Sequence, residues 1–251
     1  MAPNPINCGH FVHQNTKSLA EAMAAPASFK LLYFPLLGLA ATTRDILAFA
    51  GADYENIHPP NWPTDKPNTP FGSMPVLYIT SKNGKEVTLS ESTVIEHYLA
   101  GHFNLLGDNA YDAAVIRAIH NSAADLQTIM FKTILFNYPG AKEKSLEKFK
   151  TSTLPDILGF WERHLVDNGS NCFFFGDRLS LADIRVANIL EHMAIEPDAD
   201  ALLAIVAKYP LVLKLREMVA NHPKLAAWRQ SEECHTFFND MRVFMAVTGP
   251  K

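Results

Sequence analysis

The sequence predicts an α/β domain followed by an all-helical one, and three observations carry that prediction. Short apolar strand patterns alternate with helical patterns between Phe29 and Gly101; no strand pattern returns beyond His102; and the second half holds long segments with apolar residues at helical spacing. At 251 residues the chain is long enough for one large or two modest domains with ample core. Its 48% apolar and 19% charged composition is ordinary for a globular protein. A net charge of -4 offers no basic footprint for nucleic acid, and no apolar run approaches a membrane span, so the expected partners are small molecules or protein.

Residues 1–28 are expected to be a flexible extension: the Ala-, Asn- and Pro-rich start has neither the apolar core of a secretory signal nor the Arg content of a mitochondrial one. Phe29 to Phe34 (FKLLYF) reads as a strand that stops at Pro35. Ala40, Ile46, Leu47, Phe49 and Ala50 fit a helix closed by Gly51, Glu55 to His58 a second strand, and Pro59 to Pro70 a Pro-rich loop. Pro75 follows the Gly72-Ser73 turn and precedes Val76 to Ile79. Lacking a donor, it belongs at a strand's first residue, where the small cis penalty of about 0.5 to 1 kcal/mol permits a cis bond that leaves the Met74 N–H and C=O free for an extended ligand.

Asn83-Gly84 is a strong hairpin signal, so Val76 to Thr80 should pair antiparallel with Glu86 to Leu89. Glu91 and Ser92 then stand at the start of a helix marked by Val94, Ile95, Tyr98 and Leu99. A carboxylate beside a hydroxyl at that place is suited to an ammonium and a carboxylate held side by side. A βαβ unit followed by ββα is the thioredoxin-like arrangement, expected over residues 29–102.

Residues 109–251 are expected to be all-helical, joined to the first domain near Phe103 to Asp108. The helical segments are Asp112 to Phe136, ending at Tyr138-Pro139-Gly140; Lys142 to Val166, with a kink at Pro155; Asp200 to Lys208; Leu211 to Asn221; and Pro223 to Trp228, continuing into the tail. In Leu179-Ser180-Leu181-Ala182-Asp183-Ile184, Ser180 caps a further helix, Asp183 reaches back, and Leu179 staples onto Ile184, a folding device rather than a chemical site.

Cys8, Cys172 and Cys234 are scattered and the histidines lack ligand spacing, which favours a reducing compartment and predicts no metal. Localisation is expected to be cytoplasmic.

Three pieces, FGSMPVL at Phe71 to Leu77, LSESTVIEHYLA at Leu89 to Ala100 and FFFGDRLSLADI at Phe173 to Ile184, resemble the cytosolic glutathione transferases in their order and spacing. LLYF at Leu31 to Phe34 and W-x-x-x-K at Trp62 to Lys66 place the resemblance in the tyrosine-type branch, nearest the sigma-like enzymes. It spans Phe29 to Trp228. The resemblance implies a glutathione S-transferase with glutathione as co-substrate, a small hydrophobic electrophile as second substrate, no metal, and a homodimer with Phe71 at its interface.

By position, the resemblance makes Tyr33 the catalytic tyrosine, whose phenol donates to the glutathione sulfur. It gives Ser92 and the helix start behind it the γ-glutamyl carboxylate, Glu91 the ammonium, and the Met74 backbone, set by Pro75, the cysteinyl part. Trp62 and Lys66 hold the glycyl carboxylate. Glu91 stands where most relatives have Gln, and Ser73 where Gln is common, which shortens or removes one polar contact. Leu37, Leu39, Met130, Phe131 and Phe237 are the candidates for the electrophile pocket, against the plainer reading of apolar residues at helical spacing as core.

Leu39 occupies the position, six after the tyrosine, where this branch often carries Arg, so no supporting charge is expected near the thiolate. Asn121, with Asp125 one turn on, takes the place of an Asp that reaches the partner's site in many relatives. A cysteine-type enzyme is excluded because neither Cys nor Ser occurs between Phe29 and Phe71. Leu39 and Ser73 favour the rival reading, a non-catalytic ligand-binding or regulatory relative.

Overall fold

In the computed structural model, which describes residues 26–134 and 139–248, the chain divides into two compact units at Phe103/Asn104. The expected N-terminal extension lies outside the described residues, except that the first strand begins at Pro26.

The first unit is built on a four-stranded sheet of order β2-β1-β3-β4, with β1 at Pro26–Leu32, β2 at Tyr54–Ile57, β3 at Val76–Ser81 and β4 at Glu86–Ser90. β1 runs parallel to β2 and antiparallel to β3, which forms the predicted hairpin with β4. β3 is central, and Val76, Leu77 and Ile79 are fully buried, as its unbroken apolar run requires. β1 starts earlier than the FKLLYF pattern suggests because Pro26 and Ser28 pair with Ser81 and Thr80. Gly84 turns the hairpin at φ +79°, a left-handed conformation that glycine tolerates.

Helix α1 (Ala41–Ala50) connects β1 to β2 and ends as predicted on Gly51, which at φ +61° donates its N–H to the Ala48 carbonyl. The Pro-rich loop contains a short helix, α2 (Trp62–Asp65), and a 3-10 turn, Lys66–Asn68. The Asp65 carboxylate accepts the Asn61 N–H at 2.9 Å, which closes α2. Helix α3 (Ser92–His102) follows β4 and packs on α1.

The described part of the second unit contains helices and no strand: α4 (Ala110–Ile134), α5 (Pro139–Lys148), α6 (Leu154–Asp167), α7 (Leu181–Met193), α8 (Ala199–Val206), α9 (Pro210–Ala220), α10 (Pro223–Arg229) and α11 (Glu232–Thr248). Its centre is α7, buried on nearly every side and packed by α4 and α9. The capping box at its start is formed: the Asp183 carboxylate accepts the Ser180 N–H at 2.7 Å. The same carboxylate accepts the Phe174 N–H at 2.9 Å, fastening the preceding loop.

The expected helix over Lys142 to Val166 is helical throughout, running as α5, a π turn at Phe149–Thr153 and α6; the distortion expected at Pro155 sits in the turn before it, where Pro155 has no N–H for the i−4 carbonyl and its ring crowds the backbone. One expectation is corrected: the tail beyond Trp228 is not a continuation of α10, which ends at Arg229; after Gln230-Ser231 the chain forms the separate 17-residue helix α11.

Candidate functional site

The sheet register brings the N-terminal candidates to one edge. Ile57, Leu32, Val76 and Ser90 form the last paired row across the four strands. One residue further along each strand stand His58, Tyr33, Pro75 and Glu91. Residues separated by up to 58 positions therefore leave the same end of one sheet in register.

Tyr33 is fixed on both sides of its backbone. Its N–H donates to the Ile57 carbonyl at 3.1 Å, and the His58 ring Nδ1–H donates to its carbonyl oxygen at 2.8 Å. Its buried phenol oxygen accepts the Leu39 N–H at 3.0 Å. Burial pushes the phenol above its usual 10; the Leu39 N–H and the charge of Arg44 pull it back. The hydroxyl thus keeps its proton at neutral pH while one acceptor position is occupied.

Gly38 is the residue that permits this approach. It lies at φ +44°, and a Cβ there would stand 2.5 Å from the Tyr33 hydroxyl oxygen. Leu37 is buried and Leu39 half-buried in the same turn.

The Met74–Pro75 peptide bond is cis, with both residues buried at the head of β3. Ser73, just before it, donates from Oγ to Glu91 Oε1 across a long 3.5 Å. Glu91 itself adopts φ +72°, an unfavoured region for a residue with a side chain, and precedes Ser92, the first residue of α3. Trp62 opens α2 and meets Phe34 edge to face at 5.8 Å, and Phe34 meets Tyr33 in the same way at 5.8 Å. The exposed Lys66 runs beside Gly72, where a Cβ would lie 3.5 Å from its Cε.

The C-terminal candidates fall in the second unit. Met130 and Phe237 are 0% and 3% exposed, the latter edge to face with Trp228 at 6.3 Å, which is the setting of core side chains. Phe131 is half-buried, edge to face with His192 at 5.9 Å. Asn121 and Asp125 are exposed on α4, and the Asn121 side-chain Oδ1 lies 3.2 Å from the His120 ring Nδ1. Among the described residues no group of three His, Cys, Asp or Glu is placed to hold a metal, and no helix is long and apolar enough to cross a membrane.

Leu39 is not cationic, but a cation stands near the phenol: the guanidinium carbon of Arg44 lies 5.8 Å from the Tyr33 ring centroid. That cation stands on α1, eleven residues past the tyrosine rather than six. An Arg on the stretch that also carries Ile46 and Leu47 was the available signal.

A thioredoxin-like unit with an ordered tyrosine, a cis-proline edge and a helix start in one row, followed by an all-helical unit, defines the class of the glutathione transferases. The family model for the glutathione S-transferase C-terminal domain matches residues 124–232. The chain is 32% identical over 205 residues to the probable glutathione S-transferase 6 of Caenorhabditis elegans, covering 78% of this chain and 97% of that one. It is 30% identical over 211 residues to the class-mu 28 kDa glutathione S-transferase isozyme of Schistosoma japonicum, covering 83% and 100%. Among solved structures, a sigma class transferase of Fasciola hepatica superposes with a TM-score of 0.70 at 26% identity, covering 80% of this chain and 94% of that one. The chain belongs to the glutathione transferase family.

Proposed function

We propose that this chain transfers glutathione to small hydrophobic electrophiles, with Tyr33 as the catalytic residue. The observation that carries the reading is the row of Tyr33, Pro75 and Glu91 at one end of the sheet, with the phenol oxygen of Tyr33 held by the Leu39 N–H. A donor N–H on that oxygen leaves the phenolic proton to point at the sulfur of a bound thiol. A free thiol titrates near ~8.5, and a hydrogen bond to the charged form raises the thiolate fraction at pH 7. The thiolate attacks an electrophilic carbon; the carbon–sulfur bond forms as a halide leaves with its electron pair, or as a conjugated acceptor takes a proton from water.

The γ-glutamyl end is assigned to Glu91 and Ser92, where a carboxylate faces the ammonium and the start of α3 faces the carboxylate. The Met74 backbone takes the cysteinyl unit as an added strand, with Pro75 fixing that edge and the Ser73 hydroxyl supporting Glu91. Trp62 and Lys66 take the glycyl carboxylate. Leu37 and Leu39, on the turn beside the phenol, line the electrophile side. The working form is a cytoplasmic homodimer with Phe71, 60% exposed, at the interface; light scattering at micromolar concentration reads the mass.

Conjugation of a chlorodinitrobenzene, followed by absorbance, tests the assignment. Tyr33→Phe is expected to lower kcat by about ten- to a hundredfold, the worth of a hydrogen bond to a charged group, with the KM for glutathione within about twofold. Retention on immobilised glutathione with no conjugation of any electrophile would instead favour a ligand-binding protein.

A further inference from the structure

Arg44 is 0% exposed, and a buried guanidinium persists only when its donors are used. Its Nε donates to Asn56 Oδ1 on β2 at 2.9 Å. Nη1 donates to the carbonyl oxygens of Leu36 at 2.5 Å and Leu37 at 3.4 Å, and Nη2 to that of Phe34 at 3.3 Å. All three carbonyls belong to the stretch between Tyr33 and the turn at Gly38–Ala40. That stretch lies outside any strand, yet it must deliver the Leu39 N–H to the phenol at 3.0 Å, with Gly38 passing close beside the ring.

We propose that Arg44 is the positioning residue of Tyr33: its planar fork gathers the Phe34, Leu36 and Leu37 carbonyls and so holds the Leu39 N–H on the phenol oxygen, while its charge faces the ring. The proposal rests on the reading of Tyr33 as the donor to the thiolate. It replaces a side-chain cation at position 39 with a cation that acts through the loop backbone. Lysine cannot substitute, because one ammonium on a flexible stem cannot span Asn56 and three carbonyls in fixed directions.

The test uses Arg44→Lys, Arg44→Met and Asn56→Ala, the last loosening the fork at Nε without removing the charge. The Tyr33 phenol is titrated by ultraviolet difference, subtracting the same variant carrying Tyr33→Phe, alongside kcat, KM for glutathione and melting temperature. Arg44→Lys is expected to lose about ten- to a hundredfold in kcat, as small misplacements of a catalytic group do, with KM for glutathione within about threefold. Arg44→Met should in addition move the Tyr33 titration to higher pH, since a cation facing the phenolate is lost.

A lowered melting temperature with unchanged Tyr33 titration and unchanged kcat would reduce Arg44 to a structural residue and overturn the proposal. If both Arg44 variants fail to fold, Asn56→Ala decides: an altered Tyr33 titration supports positioning and an unaltered one refutes it. The phenol titration needs no glutathione, so a wild-type protein without conjugating activity would sink the transferase reading while the placement of Tyr33 by Arg44 is still measured.

Discussion

Glu196 gives the second unit a stability that should fall as the solution becomes alkaline. It lies in the turn after α7, 4% exposed, and among the described residues neither carboxyl oxygen has a hydrogen-bond partner. Lys142 on α5 is the charge that pulls its titration down, and Arg242 on α11 lines the same small cavity as Glu196, Ala194, Ile195 and Pro197. Burial outweighs Lys142 and pushes the carboxyl from the ordinary 4.5 up to about 8.

The folded protein therefore keeps a proton that the unfolded chain releases above pH 4.5, so stability declines between pH 4.5 and about 8 and is level beyond. At about 1.4 kcal/mol per pH unit the window is worth about 3 to 5 kcal/mol, most of it lost by pH 7. Glu196→Gln keeps the shape and removes the titration. In urea denaturation followed by the fluorescence of Trp161 and Trp228, both in this unit, the variant should match wild type at pH 5. At pH 8 it should be about 3 kcal/mol more stable, a melting temperature about 6 to 12 °C higher. A variant with the same slope against pH as wild type, or one less stable than wild type at pH 8, would refute the reasoning.

Two further outcomes are expected beyond those given for Tyr33 and Arg44. Gly38→Ala places a methyl 2.5 Å from the Tyr33 hydroxyl oxygen at a positive φ, so it should cost about 1 to 3 kcal/mol of stability and lower kcat as well; a variant as stable and as active as wild type would disprove the close approach. Asp183→Asn turns one acceptor oxygen into a donor facing the Ser180 or Phe174 N–H, and should lower the urea midpoint by an amount equivalent to about 2 to 3 kcal/mol, more than the loss of a helix cap alone. A midpoint shift below about 1 kcal/mol would limit Asp183 to its local cap.

Much of the first unit was legible because its signals act over a few residues. Pro75 permits one backbone arrangement at the head of a strand, Asn83-Gly84 one kind of turn, and Gly51 one way to end α1. The capping box at Ser180 and Asp183 was equally local. Sequence reasoning failed where two parts of the chain had to be weighed together. Pro155 marks a distortion within one helix, but that the distortion takes the form of a π turn at Phe149–Thr153 is not marked by any residue there. The Leu211 and Val212 N–H groups at the start of α9 donate to the Glu162 carboxylate of α6 at 3.0 to 3.1 Å, a cap supplied from about 50 residues away that no adjacent residue announces.

The same division holds at the candidate site. By itself the sequence determined the succession of strands and helices along the first unit, the proline edge, the tyrosine following β1 and the Glu91-Ser92 helix start, since each follows from backbone preferences and side-chain patterns within a short stretch. Only the tertiary structure decided that Tyr33, Pro75 and Glu91 share one row, and that the cation beside the phenol is Arg44 rather than a residue at position 39. Strand register is a property of paired strands. The partners of a buried guanidinium are settled when the sheet and α1 close over it and its donors must be satisfied by whatever carbonyls that closure brings within reach.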